Sequence, residues 1–89
     1  MVTLKFFANL RDLTGKKEMK VDASHLKGAI DRASSMLGID LMEELFEGER
    51  PKKGVIILVN GKNIEHLKGL STPLEEGDTV SLFPPVGGG

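Results

Sequence analysis

The residues best suited to chemistry stand at the end of the sequence, where Gly87, Gly88 and Gly89 follow a Pro-Pro-Val segment. Consecutive prolines favour an extended backbone, so the glycines are expected to project away from the last folded element. Glycine has no Cβ, and three in a row can pass through a channel too narrow for any other residue. The α-carboxylate of Gly89 could then reach the active site of another protein.

Acyl transfer is the chemistry open to that carboxylate. A carboxylate is a poor electrophile, so a partner enzyme would have to activate it, most simply as a mixed anhydride with adenylate made from ATP. Sulfur or an amine could then attack the carbonyl carbon. The chain needs no catalytic side chain for this, and we expect a carrier with no stably bound cofactor, for which ATP is used by the activating partner. A glycine-rich end is also typical of a frayed terminus. The prolines directly after a predicted strand favour the carrier.

Other candidate groups point to no chemistry of their own. His25 and His66 are far apart in the sequence, and surface or loop positions explain them better than a metal site. Glu43, Glu44 and Glu47 are explained by solvation of a helix surface. The chain has no cysteine, which excludes disulfides, a thiolate nucleophile and a Cys-based zinc site. We predict no metal site.

Composition indicates one small domain with no nucleic-acid or membrane partner. The chain has 89 residues, and its 12 basic and 13 acidic side chains give a net charge of −1 without a block of either sign. The longest apolar run, residues 55–59, is far shorter than the roughly 20 residues that span a bilayer. The N-terminus alternates where a signal peptide would be continuously apolar. We therefore expect a cytoplasmic protein.

The first part of the chain predicts two antiparallel strands. Val2, Leu4 and Phe6 alternate with more polar residues, as in a strand with one buried face. Phe7 is then an apolar residue on the face that should meet water. After a break over residues 9–15, residues 18–21 predict a second strand, and the connection is too short for a parallel crossover.

A helical pattern follows. Ser24 can cap a helix whose apolar stripe consists of Leu26, Ala29, Ile30, Ala33 and Leu37 and which ends at Gly38. Gly28 does not fit this helical pattern, because glycine inside a helix costs roughly 1 kcal/mol of stability relative to alanine. Either the helix begins after Ser24 or another group packs close to Gly28. Asp40 and Glu43 then resemble the capping box of a second, short helix that carries Leu41, Leu45 and Phe46, and residues 47–54 predict an exposed loop.

The last part of the chain completes a sheet. Residues 55–59 form the unbroken apolar run typical of a strand in the middle of a covered sheet. Asn60-Gly61 predicts a tight hairpin turn, and residues 79–83 alternate into a closing strand that the prolines end. We predict an α+β fold, a mixed sheet of four to five strands packed on one main helix, with a folded domain over residues 1–84 and a flexible glycine tail over residues 85–89.

Four segments resemble a known family. They are LKFFANLRDLTG, VNGKNIEH, PLEEGDTVS and the terminal LFPPVGGG, and together they span nearly the whole chain. They resemble the MoaD family of ubiquitin-like sulfur carriers, which includes the small subunit of molybdopterin synthase and the small archaeal modifier proteins. The chain is similar to ThiS as well, but that branch is typically shorter and lacks the proline pair.

The resemblance implies a β-grasp fold and a terminal Gly89 that an ATP-dependent, MoeB/ThiF-like enzyme adenylates and converts to a thiocarboxylate. It also implies a MoaE-like large subunit of molybdopterin synthase, which holds the catalytic residues and receives sulfur for a pterin precursor in molybdenum cofactor biosynthesis. Gly88 and Gly89 match the family's diglycine. Gly87 departs from the usual Ser, Thr or Ala. At the partner interface, the matching positions are Phe7, Arg11 and Phe83.

Two alternatives remain open. The same activated carboxylate could be captured by lysines of target proteins in isopeptide bonds, which would make the chain a protein modifier. The sequence does not separate this function from sulfur carriage. The chain could also be a non-covalent interaction module, which would keep its function without Gly88 and Gly89 and lose it on Phe7→Ala.

Overall fold

The first two strands form as their alternation predicts. In the computed structural model, which describes residues 1–85, β1 spans Val2–Phe6 and buries Val2, Leu4 and Phe6. It pairs antiparallel with β2, which spans Glu18–Val21. The segment between them, expected to be a break, contains a helix, α1, at Asn9–Thr14.

The main helix, α2, spans Leu26–Leu37 and ends at Gly38. Its predicted apolar stripe is confirmed, with four members buried and Leu37 partly buried. The prediction that Ser24 caps it is wrong, because His25 occupies the cap position and makes no side-chain capping bond. The imidazole of His25 lies over Gly28, where Cε1 would be only 3.3 Å from an added Cβ. The helix does begin later than a Ser24 cap would place it, but it still includes Gly28, so the close packing of His25 is what accounts for the glycine.

The short helix after α2 is also confirmed. Helix α3 spans Leu41–Leu45, and the Asp40 carboxylate accepts a hydrogen bond of 3.0 Å from the backbone N–H of Glu43. The helix stops before Phe46, which begins a two-residue strand. The segment expected to be a loop contains this small hairpin, formed by β3 at Phe46–Glu47 and β4 at Arg50–Pro51.

The last part of the chain supplies three further strands, β5 at Ile56–Val59, β6 at Lys62–Asn63 and β7 at Thr79–Phe83. Asn60 and Gly61 join β5 to β6 with φ values of 51° and 85°, the two positive values that a type I′ turn requires. Two 3₁₀ turns, Ile64–His66 and Gly69–Ser71, lead toward β7.

The strands form a mixed five-stranded sheet in the order β2-β1-β7-β5-β6, in which only β1 and β7 run parallel. The predicted mixed sheet on one main helix is thus confirmed. The prediction that β5 lies in the middle of a covered sheet is wrong. The central strand is β7, and Ile56 is 47% exposed because α2 covers only one face of the sheet.

The core lies between that covered face and the helices. Its largest fully buried side chains come from both layers and are Phe6, Leu4, Leu26, Ile30, Leu41, Leu45, Ile57, Ile64 and Leu82. The uncovered face, which we call the open face, carries the alternate residues of the same strands. Over residues 1–85 no helix combines the length and the hydropathy needed to cross a bilayer.

A small polar network joins the turn between β5 and β6 to the beginning of β7. The Asp78 carboxylate accepts hydrogen bonds from the backbone N–H of Glu75 at 2.8 Å and from the Asn60 side-chain amide at 2.9 Å. The backbone N–H of Thr79 donates to the Asn60 carbonyl oxygen at 2.9 Å. The bond from Glu75 and then that from Asn60 lower the pKa of Asp78, while partial burial opposes them.

The lowered pKa of Asp78 predicts an acid-sensitive contribution to stability. The charged form is favoured in the folded state, so the contribution is present above the ordinary aspartate pKa and is lost as the pH falls through the lowered one. At neutral pH, Asp78→Asn is expected to lower the free energy of unfolding by less than about 1 kcal/mol, since the group is partly exposed. Urea titrations of both proteins at several pH values should show the difference vanish in acid. A difference that grows in acid would contradict this assignment.

Candidate partner-binding site

Phe7, Arg11 and Phe83 come together at one end of the sheet. The parallel register pairs Phe6 with Leu82, so the next residues, Phe7 and Phe83, lie side by side on the open face. Their rings stack with centroids 4.3 Å apart and planes 9° apart. Both side chains are only partly buried. Phe7 is thus an apolar residue on the solvent-facing side of the sheet, as the alternation predicts.

Helix α1 positions the third member of this group. The Nε of Arg11 donates a 2.9 Å hydrogen bond to the carbonyl oxygen of Phe6, and the guanidinium carbon lies 5.4 Å from the Phe7 ring centroid. A guanidinium at that distance interacts favourably with the face of an aromatic ring. The exposed Arg11 therefore extends the stacked pair with a fixed positive charge.

The corner between β1 and α1 is strained. Ala8 has φ 50° and ψ −135°, a conformation that residues with a Cβ rarely adopt and that costs of order 1–3 kcal/mol. It turns the chain from the strand into the helix that carries Arg11. The strain lies between two of the three predicted interface residues.

Relief of this strain can be measured directly. Ala8→Gly is expected to raise the free energy of unfolding by about 1 kcal/mol, because removal of the Cβ relieves more strain than the added unfolded-state entropy of glycine costs. Ala29→Gly is the control. Ala29 lies inside α2, so this change is expected to lower the free energy of unfolding. Denaturant titration measures both. A destabilised Ala8→Gly protein would mean that the backbone of Ala8 carries no strain.

Ile56 adds a third apolar side chain that the sequence did not predict for this site. It pairs with Phe83 in the antiparallel register of β5 and β7, and directly opposed residues share a face. We call Phe7, Ile56 and Phe83 the apolar patch. The signal was hidden because residues 55–59 are apolar at every position, so the run shows no alternation. Contiguous exposed apolar residues of this kind are typical of an interaction surface.

The base of the tail adjoins the apolar patch. Pro84, directly after Phe83, is buried, and Pro85 is exposed. Pro85 lies against Gly54, where an added Cβ would be 3.4 Å from the Pro85 Cβ. The predicted site residues Gly87, Gly88 and Gly89, and most of the predicted flexible tail, lie outside the described residues. The chain thus reaches Pro85 beside the surface formed by the predicted interface residues.

The remaining candidates lie apart from this site. His25 contacts Gly28 in α2, whereas His66 lines a groove with Asn60 and Asp78 at the other end of β7. Within residues 1–85, no three His, Asp or Glu side chains are grouped so that they could hold a metal ion.

Solved structures with the same fold define the class of this protein. The small archaeal modifier protein 1 of Methanosarcina acetivorans superposes with a TM-score of 0.82 at 30% identity, over 99% of this chain and 95% of that one. A chain of the Amycolatopsis orientalis BexX/CysO complex superposes with a TM-score of 0.88 at 26% identity, over the whole of both chains. The protein is therefore a small ubiquitin-like protein with the β-grasp fold, as predicted.

Sequence comparison gives the family. The ThiS family model matches residues 4–89, and the chain belongs to this family of ubiquitin-like sulfur carriers and modifiers. The small archaeal modifier protein 3 of Haloferax volcanii is 39% identical over 88 residues, which are 97% of this chain and 96% of that protein. The resemblance to the ubiquitin-like sulfur carriers is confirmed.

Proposed function

We propose that this chain carries sulfur as a thiocarboxylate on Gly89 and donates it in the synthesis of molybdopterin. The observation that carries the proposal is the position of the tail base, which leaves the sheet beside the stacked rings of Phe7 and Phe83. A partner that covers the apolar patch would therefore receive the tail at the same time. Membership of a sulfur-carrier family supports the same chemistry.

The reaction has two steps. The Gly89 carboxylate attacks the α-phosphate of ATP in an activating enzyme and forms an acyl adenylate, with release of pyrophosphate. A sulfur donor bound to that enzyme then attacks the carbonyl carbon, and AMP leaves. When the donor is a persulfide, this attack by its outer sulfur gives an acyl disulfide, and a thiol then cleaves the S–S bond, which releases the thiocarboxylate and forms a new disulfide on the donor side. ATP binds to the activating partner, and the carrier itself holds no cofactor.

The acceptor step takes place in a second partner. We propose a MoaE-like large subunit that covers the apolar patch, admits Gly87, Gly88 and Gly89 into its active site, and supplies every catalytic residue. All these partners are expected in the cytoplasm.

The direct test is a mass measurement. The chain is incubated with ATP, a MoeB/ThiF-like activating enzyme and a sulfur donor, and its intact mass is then determined. We expect a gain equal to the difference between one sulfur and one oxygen atom, which fragmentation assigns to Gly89. Omission of ATP is the control. An unchanged mass, or a gain on another residue, would rule out sulfur carriage.

Protein modification is a second candidate, favoured by the 39% identity to a protein named as a modifier. In that case a lysine amine of a target protein attacks the acyl adenylate or an activated form derived from it, and an isopeptide bond forms. Cells that express the tagged chain should then contain larger conjugates, and these should disappear when Gly89 is deleted. Conjugates that persist without Gly89 would contradict this function.

If the chain is a purely non-covalent module, deletion of the terminal glycines should have no effect on function. A chain that lacks Gly88 and Gly89 would keep its full function, whereas Phe7→Ala would lose it. Complementation of a deletion strain with the two variants separates this module from both covalent functions.

A further inference from the structure

A pair of lysines lies at the base of the tail. Lys52 and Lys53 precede Gly54, the residue against which Pro85 packs. Lys53 is exposed and Lys52 is partly so. Consecutive Cα atoms are about 3.8 Å apart, so the backbone of both lysines lies close to the point where the chain leaves the sheet.

The backbone holds these lysines in place. The N–H of Val55 donates a 2.9 Å hydrogen bond to the carbonyl oxygen of Lys52, and the N–H of Lys52 donates to Leu45 at 2.9 Å. Gly54 occupies the third position of the resulting turn with φ 88°, where a type II turn requires a positive value. We call residues 52–55 the lysine turn.

A positive group also lies on the other side of the tail base. In the sheet β7 has β1 on one side and β5 on the other. Arg11 is anchored beside Phe7 at the end of β1, and the lysine turn precedes β5. The end of β7 therefore leaves the sheet between two cationic flanks.

These charges are not neutralised by the rest of the described chain. Within residues 1–85, the ion pairs join the N-terminus to Glu76 and Lys27 to Asp31, so Arg11, Lys52 and Lys53 have no carboxylate partner there. Most other cationic side chains of the described residues also have no ion-pair partner, so what distinguishes Arg11, Lys52 and Lys53 is their position around the tail base.

We propose that the activating enzyme surrounds the mouth of its tail channel with carboxylates, and that the lysine turn binds this acidic rim. The inference rests on the proposed function and adds the chemistry of the partner surface. Complementary charges around a docking site accelerate association and fix orientation. With Arg11 on the opposite flank, an acidic rim would guide the tail base over the channel.

The phosphates of the adenylate do not explain the lysine turn. Four residues, 86–89, follow Pro85, and four extended residues span about 13–14 Å. The carboxylate of a tail that a narrow channel holds fully extended is thus beyond the reach of a lysine side chain at the tail base. Nucleic acid is also disfavoured, because tight binding to phosphates requires more cationic contacts than this site offers.

The test compares two charge-reversed proteins. Lys52→Glu/Lys53→Glu is expected to lower the association rate with the activating enzyme about tenfold at low salt, and the difference should shrink as salt rises. The KM of the carrier in ATP-dependent sulfur transfer should rise, with kcat unchanged. The control, Lys62→Glu/Lys68→Glu, changes the same charge at the other end of β7, beside Asn60 and Asp78. It should alter the rate less than twofold.

The single variant Lys53→Glu controls for a folding defect, because Lys53 is exposed. The melting temperatures of all variants should match that of the unmodified chain. Equal losses in both double variants, or a loss insensitive to salt, would overturn the inference. So would binding of a single-stranded oligonucleotide that depends on Lys52 and Lys53. If the unmodified chain gains no sulfur, the proposed function fails and the inference falls with it. If it gains sulfur and Lys52→Glu/Lys53→Glu has the same KM, only the inference fails.

Discussion

Phe7→Asp is expected to abolish binding of the large synthase subunit while the chain remains folded. Phe7 is partly exposed and stacks on Phe83 rather than packing into the core, so its removal leaves the buried side of the sheet intact. In a docked complex the same ring would be desolvated, and an aspartate would become a buried charge. Loss of an interface hot spot costs about 2 kcal/mol or more, which corresponds to a loss of affinity of at least about 30-fold.

Leu67→Asp is the matched control for this change. Leu67 is 38% exposed and lies at the opposite end of β7, in the groove beside Asn60 and Asp78. Affinity is measured by calorimetry and folding by circular dichroism. Leu67→Asp should bind as the unmodified chain does. If Phe7→Asp unfolds the protein, Phe7 is a core residue and the interface assignment fails.

Gly88→Val is expected to abolish the ATP-dependent gain of sulfur, with a loss in kcat/KM of at least about 100-fold, or nearly 3 kcal/mol. Valine adds a branched Cβ that a channel shaped for glycine excludes, and it restricts the backbone angles that the enzyme can impose. The melting temperature should not change, since every core residue is unaltered. The rate of mass gain on intact protein measures the effect.

Gly88→Ala provides the graded comparison. It adds one methyl group, so its rate should fall between those of the unmodified chain and Gly88→Val. If Gly88→Val gains sulfur as fast as the unmodified chain, no narrow channel encloses the tail, and the role assigned to the terminal glycines is wrong.

The elements predicted correctly from the sequence are those in which local pattern and tertiary packing agree. The alternation of β1 and the stripe of α2 each describe one buried face, and both faces meet in the same core. Asn60-Gly61 predicts its turn because both residues tolerate the positive φ that the turn requires, and the Asn60 side chain also bonds to Asp78 and Thr79.

The missed helix α1 and the misjudged strand β5 are segments whose local pattern is too short or too uniform. Helix α1 has six residues, fewer than two turns, and the buried Leu10 and Thr14 do not define a period. The run over residues 55–59 is apolar at every position, so it does not reveal that one of its faces is open. The pairing of Ile56 with Phe83 and its 47% exposure show that Ile56 lies on that open face.

The candidate site was predictable in part. Phe7 violates the alternation of its own strand, and that local signal identifies it without a structure. Arg11 and Phe83 follow only from the family resemblance, because their closeness depends on the parallel register of β1 and β7. Ile56 and the lysine turn required the structure, since β5 approaches the tail base only through the register of β5 with β7.

The most direct test of the account adds one alanine after Gly89. The sheet, the apolar patch and the lysine turn stay unchanged, and only the position of the reactive carboxylate moves. Incubation with the activating enzyme, ATP and a sulfur donor should then give no gain in mass, while the unmodified chain acquires sulfur on Gly89. If the extended chain acquires sulfur at the same rate, the terminal carboxylate of Gly89 is not the working group of this protein.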